Sequence, residues 1–117
     1  MRKFFVKTAG ENPMICRMWH GCTLRAKADA YAIFLAQRAI PDYRSVPGNL
    51  SVAVMRRDEK DVTHFLTVTH WESEDSIRAF AGAEPLTAKY YPEDQGYLLE
   101  FEPQVQHYTV TASAHGV

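Results

Sequence analysis

The clearest pattern in the chain is a switch from alternating to helical periodicity between Val62 and Gly82. Residues 62–71 are rich in β-branched and aromatic side chains and alternate in two sets, which predicts a strand. From Ser73 onward the period changes, because serine is a good helix N-cap and apolar residues then recur at helical spacing up to Gly82, a typical helix stop. Neither side of the predicted strand is purely polar, so we expect packing on both of its faces.

The same patterns predict the other elements. Residues 14–24 alternate as a strand, and residues 26–40 form an Ala-rich helical stripe. Pro41 is expected to end this helix, because the residue before a proline is pushed out of the α region. The remaining predictions are a loop over 41–49, a strand over 50–56, a charged hairpin turn over 56–61, a short helix from 84 towards 91, a break at 92–96, a short strand or arm over 97–101 and a last strand over 105–110.

This order of elements, β-α-β followed by β-α-β, predicts an α+β domain of the ferredoxin-like type. Right-handed crossovers then give a four-stranded antiparallel sheet with both helices on one face. The predicted strands carry bulky or apolar residues on both faces, so the second face needs a partner. We therefore predict a homodimer in which the sheets of two copies pack against each other.

The length and composition of the chain indicate one domain with a true core, since it has 117 residues of which 46% are hydrophobic. We divide it into an N-terminal extension (1–13), a ferredoxin-like domain (14–112) and a flexible tail (113–117). Cys16 and Cys22 lie six residues apart on one predicted strand, roughly 20 Å from each other, so both are expected to be reduced.

The net charge of -1 and the scattered lysines and arginines argue against a nucleic-acid partner. No apolar run approaches the ~20 residues that span a bilayer, so we expect no membrane association and a cytoplasmic location. His20 and His64 have no acidic or cysteine neighbours at ligand spacing along the strands, and no glycine-rich cofactor loop is present in the sequence. We therefore predict neither a metal nor a cofactor.

Three stretches resemble a known family: HWESEDSIRAF at 70–80, PDYRSVPGN at 41–49, and the closing residues 90–110. Together they resemble the antibiotic biosynthesis monooxygenase family of dimeric α/β-barrel proteins, over about residues 14–110. The resemblance implies the ferredoxin-like fold and its dimer. That family includes cofactor-independent oxygenases of phenolic compounds, haem-degrading monooxygenases and quinol oxygenases.

The haem-degrading branch can be tested residue by residue. Its catalytic set is an Asn on the first strand, a Trp in the second helix and a His about one turn or more further on. The matching positions here are Phe80 and the neighbourhood of Tyr90, and residues 14–24 contain no Asn. Haem degradation by that mechanism is therefore disfavoured.

The cofactor-independent branch of the family implies a different chemistry. An activated aromatic substrate is deprotonated and its anion reduces dioxygen, so the protein supplies an apolar pocket and a few polar groups that stabilise the anion. The resemblance thus predicts a monooxygenase-like protein that acts on a small aromatic, phenolic or quinonoid compound. The alternative is a non-catalytic dimeric module of the same fold that binds a small ligand.

Two histidines are the candidate bases, because imidazole has an unperturbed pKa near 6.5. His70 stands at the exit of the predicted strand over 62–71, and His107 lies within the last strand. Each has a structural alternative, namely a histidine hydrogen-bonded to a neighbouring element. We list the candidate pocket residues as Trp19, Trp71, Phe80, Tyr90 and Tyr91.

The pocket candidates also have ordinary structural roles. Trp19 and Trp71 are good core or interface anchors, although a buried indole N–H could orient a substrate carbonyl. Phe80 fits a sheet-facing core position, and the two tyrosines either cap the pocket or tie the short helix to the sheet. Arg17 needs a partner if it is buried. We expect Glu72, Glu100 or Glu102, and we favour an ion pair across the dimer interface over anion binding.

Overall fold

The structure, a computed structural model, describes residues 4–8 and 13–116 of the chain. Three α-helical stretches are α1 (Ala28–Phe34), α2 (Ile40–Arg44) and α3 (Glu74–Ala81). A π turn over Leu35–Ala39 joins α1 to α2, and 3-10 turns lie at Arg25–Lys27 and Pro92–Gly96. The strands are β1 (Phe4–Thr8), β2 (Ile15–Leu24), β3 (Asn49–Glu59), β4 (Val62–Trp71), β5 (Gln106–Thr109) and β6 (Ala112–Gly116).

Four strands form one antiparallel sheet in the order β3-β4-β2-β5, which confirms the predicted ferredoxin-like α+β fold. The central pair is fully in register, from Ile15 opposite Trp71 to Leu24 opposite Val62. β1 and β6 pair with each other in a separate two-stranded sheet. The predicted N-terminal extension falls partly outside the described residues, and the division at 1–13, 14–112 and 113–117 stays a prediction.

The expected end of the first helix at Pro41 is wrong, because the helical backbone continues to Arg44. The π turn over Leu35–Ala39 closes one run of hydrogen bonds, and α2 begins a new run directly after it. Pro41 therefore lies in the first turn of α2. The N–H groups of a first turn have no acceptor within the helix, so a proline there costs no hydrogen bond. The predicted loop is thereby shortened to the residues after Arg44.

The prediction that residues 56–61 all form a hairpin turn is wrong, because β3 extends to Glu59. The reversal takes only two residues, and Lys60 adopts a φ of 55°. The charges are accommodated in the edge strand by ion pairs, with Arg56 2.7 Å from Asp29 and Arg57 2.6 Å from Glu59.

The predicted short helix from 84 towards 91 is also wrong. Ala88 N–H donates to the Pro103 carbonyl and Val105 N–H donates to the Leu86 carbonyl, so this stretch bonds to the chain that precedes β5 instead of to itself. A 3-10 turn forms at Pro92–Gly96, where only a break was expected. The Asp94 carboxylate stabilises that turn by accepting from Tyr91 N–H at 2.7 Å.

The helices cover one face of the sheet, here called the helix face. On β4 it consists of Thr63, Phe65, Thr67, Thr69 and Trp71, all buried. Their neighbours on β4 are only half-buried and belong to the opposite face, here called the open face. The open face comprises Cys16, Met18, His20 and Cys22 of β2, Ser51, Ala53, Met55 and Arg57 of β3, His64, Leu66, Val68 and His70 of β4, and Gln106 and Tyr108 of β5.

The junction between β4 and α3 is built as the sequence predicts. Ser73 caps α3 by accepting from Ser76 N–H at 3.2 Å, and Gly82 ends it with a φ of 101°. Gly48 lies against this junction with a φ of +92°, and its carbonyl accepts from Glu72 N–H at 2.9 Å. Among the described residues, no helix is both long and apolar enough to cross a membrane.

Gly48→Ala should destabilise the fold more than Gly82→Ala does. Both positions have a positive φ, but an added Cβ at Gly48 would lie 2.4 Å from the Ser76 Cβ, whereas at Gly82 it meets nothing within 4 Å. We expect a loss of about 1 kcal/mol in the free energy of unfolding for Gly82→Ala and roughly 2–4 kcal/mol for Gly48→Ala. Urea unfolding measures both, and equal losses would contradict the steric argument.

Candidate functional site

A narrow cavity lies between the helix face of the sheet and the helices. Its water-accessible space is about 10 Å³, enough for a single water molecule. The structure therefore shows this site closed, with its own side chains filling the space that a ligand would need. The lining residues are Trp19, Tyr31, Leu35, Ala39, Tyr43, Thr67, Lys89, Tyr91 and Asp94.

Arg17 of β2 points to the same face and is buried, with 1% of its surface exposed. Its Nη2 donates to the Thr87 carbonyl at 2.7 Å, and its guanidinium lies 5.6 Å from the centre of the Phe80 ring. Within the described residues, Nε and Nη1 have no hydrogen-bond partner. Within the chain, the expected pairing with Glu72, Glu100 or Glu102 is wrong, because none of these glutamates pairs with the guanidinium; an ion pair across a dimer interface stays a prediction. A buried cation with two unused donors is costly unless an acceptor joins it.

His107 faces Arg17 across the β2–β5 pairing. Its Nε2 is also buried without a hydrogen-bond partner in the described part of the chain. Burial lowers the pKa of His107 below 6.5, and the nearby Arg17 charge lowers it further. The site thus places a neutral imidazole with an unused nitrogen beside a cation with unused donors.

Aromatic rings form the wall around this pair. Phe80 stacks on Tyr43 at 4.3 Å between ring centres and lies 5.8 Å from Trp71. Trp71 Nε1 donates to Thr69 Oγ1 at 2.8 Å, so that indole is fixed and its donor is already used. Trp19 Nε1, in contrast, is buried with no partner among the described residues, so it can donate to a ligand.

The cavity is closed by residues 87–94, here called the covering segment. Tyr91 OH donates to Asp42 Oδ2 at 2.6 Å, and Lys89 Nζ lies 2.9 Å from the same oxygen. Tyr90 packs edge-on against Trp19 and donates its hydroxyl to the Glu102 carbonyl. Asp42 therefore fastens the covering segment to α2.

Asp94 anchors the inner end of the covering segment. It is buried, and its Oδ1 accepts from Tyr31 OH at 2.8 Å. Burial raises the pKa of Asp94, and the hydrogen bonds from Tyr91 N–H and Tyr31 only partly offset that effect. Sequence reasoning missed Asp42, Tyr43, Lys89 and Asp94, because Asp42 and Tyr43 fell in a predicted loop and Lys89 in a predicted helix.

The structure separates the two predicted bases. His107 lies on the helix face with Trp19, Trp71, Phe80 and Tyr91, whereas His70 lies on the open face, with its Nδ1 3.0 Å from Ser51 Oγ. The sheet stands between the two imidazoles, so they cannot act on one small substrate from the same pocket. The roles assigned to these residues stay predictions.

One group of side chains among the described residues has the donors for a metal ion. It consists of His20, Glu100 and Glu102, with one donor atom of each within 4.8 Å of the others. This group lies by the open face, on the other side of the sheet from Arg17. The two glutamates are distant from His20 in sequence, so ligand spacing along the strands could not reveal them.

The comparisons with known proteins agree with this architecture. Residues 23–88, more than half of the chain, match the family model described as antibiotic biosynthesis monooxygenase. Similar solved structures include a candidate antibiotic biosynthesis monooxygenase from Nitrosomonas europaea, at 12% identity and a TM-score of 0.61 over 86% of this chain and 92% of that one. No curated protein sequence matches the chain significantly.

Two further structures have the same fold. A protein from Shewanella oneidensis is 16% identical with a TM-score of 0.60, covering 96% of this chain and 98% of that one. A candidate antibiotic biosynthesis monooxygenase from Bacillus cereus is 12% identical with a TM-score of 0.54, covering 90% and 93%. At these identities the likeness establishes the fold alone.

Asp42→Asn should loosen the covering segment in a pH-dependent way. Burial alone would raise the pKa of Asp42, but hydrogen bonds from Tyr91 and Lys89 and the charges of Lys89 and Arg38 outweigh it and lower the pKa below 3.8. Its contribution to stability is therefore full above the unfolded pKa and is lost as the pH falls through the lower folded value.

We expect Asp42→Asn to lose about 1 kcal/mol of unfolding free energy at pH 7, because the ion pair is partly exposed. The difference from wild type should shrink as the pH is lowered below 3.8 in urea titrations. Asp75→Asn, whose carboxylate is 92% exposed beside Arg78, is the matched control and should lose less. A pH-independent loss would contradict the assignment.

Proposed function

Because this chain belongs to the antibiotic biosynthesis monooxygenase family, we propose that it is a cofactor-independent monooxygenase-like protein acting on a small phenolic, hydroquinone or anthrone-type compound. The observation that carries the proposal is the cross-strand pair of buried Arg17 and half-buried His107. Both side chains have buried hydrogen-bonding atoms with no partner among the described residues, and the Phe80 ring lies against the guanidinium. A planar substrate with one acidic O–H or C–H bond would satisfy both groups.

The proposed chemistry starts with removal of a proton from the substrate. Neutral His107 takes that proton on Nε2, and the Arg17 guanidinium donates to the resulting oxyanion. Both groups lie on the helix face, and Arg17 is away from bulk water, where an anion gains more from a nearby cation than it would in water. Trp19 Nε1 is a further donor for a carbonyl on the ring.

The electron-rich anion then reduces dioxygen. For a hydroquinone, the balance is hydroquinone plus O2 giving hydroxyquinone plus water. For an anthrone, the CH2 group becomes C=O, and the second oxygen atom again leaves as water. In both reactions the substrate loses four electrons and O2 accepts four, so no external reductant is needed.

We infer that substrate reaches this pair through movement of the covering segment, because Arg17 is bonded to Thr87 at the start of that segment. The closed cavity holds about one water molecule, far less than an aromatic bicycle needs. The segment is irregular in structure between Thr87 and Tyr91, and its side-chain fastening to α2 runs through Asp42. We propose that substrate enters when the Asp42 contacts open.

A homodimer through the open face belongs to the same proposal. That face carries exposed apolar side chains on both edge strands of the sheet, with Met55 of β3 47% and Tyr108 of β5 51% exposed. A second copy of the sheet would cover them. A cytoplasmic location is part of the same proposal.

The second candidate function is a non-catalytic module that binds a small aromatic anion. The same Arg17 donors favour it, because anion binding needs no proton acceptor. Oxygen consumption separates the two functions: both predict binding of a phenolic ligand, but only the monooxygenase predicts O2 uptake and a product that gains one oxygen atom. Ligand binding with no uptake above background would favour the module.

Arg17→Met should abolish substrate use while leaving the fold intact. Replacing a poorly paired buried guanidinium by an apolar side chain is often neutral or stabilising. We expect kcat/KM for O2 uptake over a panel of anthrones, naphthols and hydroquinones to fall at least ~100-fold, the scale for losing an oxyanion donor. Unfolding free energy should stay the same or rise.

The control for this experiment is Arg25→Met, because the Arg25 side chain is 58% exposed and lies outside the cavity. It should retain wild-type turnover. Full activity in Arg17→Met would contradict the proposed anion site. A large loss of stability in that variant would instead show that the guanidinium is mainly structural.

His107→Gln should remove the acidic limb of the pH–rate profile. Since the folded pKa of His107 lies below 6.5, wild-type kcat/KM should be constant near pH 7 and fall as the pH drops through that lower value. The variant should turn over more slowly, with no such limb. His70→Ala, measured in parallel, tests the other predicted base, and an equal effect there would place the chemistry on the open face.

A further inference from the structure

A second group of polar side chains assembles by the open face. His20 lies on β2, and Glu100 and Glu102 lie on the irregular chain before β5. The glutamates are brought to β2 by backbone pairing, because Leu98 bridges to Thr23 and Leu99 N–H donates to the Cys22 carbonyl at 2.8 Å. The fold thus joins His20 to a pair of glutamates, the second of which is 82 residues further along the chain.

The distances in this group suit a metal site. His20 Nδ1 is 2.9 and 3.1 Å from the two carboxylate oxygens of Glu102. Zinc bound at about 2.0–2.2 Å to each of its tetrahedral ligands holds them about 3.3 Å apart. Glu100 has a donor within 4.8 Å of the other two, its side chain is exposed, and no hydrogen bond in the described part of the chain holds it. The Glu100 side chain can therefore move into contact with an ion that His20 and Glu102 bind.

The second ring nitrogen of His20 makes a hydrogen bond that fixes the orientation of the ring. His20 Nε2 is 2.9 Å from His64 Nδ1, and His64 Nε2 is 3.3 Å from Glu59 Oε2. Metal-binding imidazoles almost always donate their second N–H to such an acceptor, which fixes the ring and its tautomer. With His20 donating from Nε2 to His64, and His64 donating to Glu59, a cation can replace the proton that His20 Nδ1 shares with Glu102 in the metal-free protein.

We propose that His20, Glu100 and Glu102 bind one divalent transition-metal ion, with Zn²⁺ as the representative. One imidazole and two carboxylates favour such an ion over Ca²⁺ or Mg²⁺, which prefer oxygen-only ligands in larger number. Three protein ligands leave a coordination position for water. This metal site does not require the monooxygenase proposal to be correct, since its three side chains lie across the sheet from Arg17 and His107.

Isothermal titration of chelator-stripped, tag-free protein with ZnCl2 tests the site. We expect one Zn²⁺ per chain in wild type, and a loss of affinity of at least ~10-fold in both Glu100→Gln and Glu102→Gln. Glu84→Gln, an exposed glutamate outside the group, is the matched control and should bind as wild type does. Co²⁺ loaded in place of Zn²⁺ should give a visible absorption spectrum that both variants lose.

Thermal unfolding provides a second readout. At Zn²⁺ concentrations tenfold above Kd, the wild-type Tm should rise by about 5 °C, and that of Glu100→Gln should rise far less. Glu100 has no described hydrogen bond to lose, so this variant is expected to fold normally. Absence of binding at millimolar Zn²⁺, or binding as strong as that of wild type in both glutamine variants, would overturn the proposal.

Discussion

The candidate site depends on one physical constraint, the burial of Arg17 in the middle of the helix face. A single hydrogen bond to the Thr87 carbonyl and the face of Phe80 are its described contacts. The guanidinium binds the covering segment through the Thr87 carbonyl, and Asp42 of α2 binds it through Lys89 and Tyr91. An unpaired guanidinium in such surroundings favours any anion that can enter. The contact between Arg17 and Thr87 therefore helps to close the cavity, and it leaves Nε and Nη1 of the same guanidinium without an acceptor among the described residues.

Most of the fold could be predicted from the sequence, because its signals are local. The alternation over 62–71, the Ser73 cap and the stop at Gly82 each depend on a few neighbouring residues. The error at Pro41 has a local cause, because the π turn over Leu35–Ala39 lets a new helical run begin just before the proline. The error over 84–91 came from a distant segment, because Leu86 and Ala88 exchange backbone hydrogen bonds with residues 103–105.

The candidate site was less predictable than the fold, for two physical reasons. Strand alternation shows which residues share a face, but it does not show which face the helices cover, so His70 and His107 looked equivalent. Side chains that meet across the fold carry no shared sequence signal. Asp42 with Lys89, and His20 with Glu102, are examples of such pairs. Arg17 was recognised as needing a partner, but the partner proved to be a backbone carbonyl.

Because side chains alternate along a strand, β2 contributes residues to both candidate sites. Arg17 and Trp19 point to the helices, and the next residue, His20, points to the opposite side. The two sites are nevertheless connected through the chain before β5. Tyr90, in the covering segment, donates to the Glu102 carbonyl, and the Glu102 side chain contacts His20. An ion bound by Glu102 would restrain the partner of Tyr90, and so the segment that must move for a substrate to reach Arg17. The sheet keeps the side chains of the two sites apart, whereas the hydrogen bond from Tyr90 to the Glu102 carbonyl links the covering segment to the metal site.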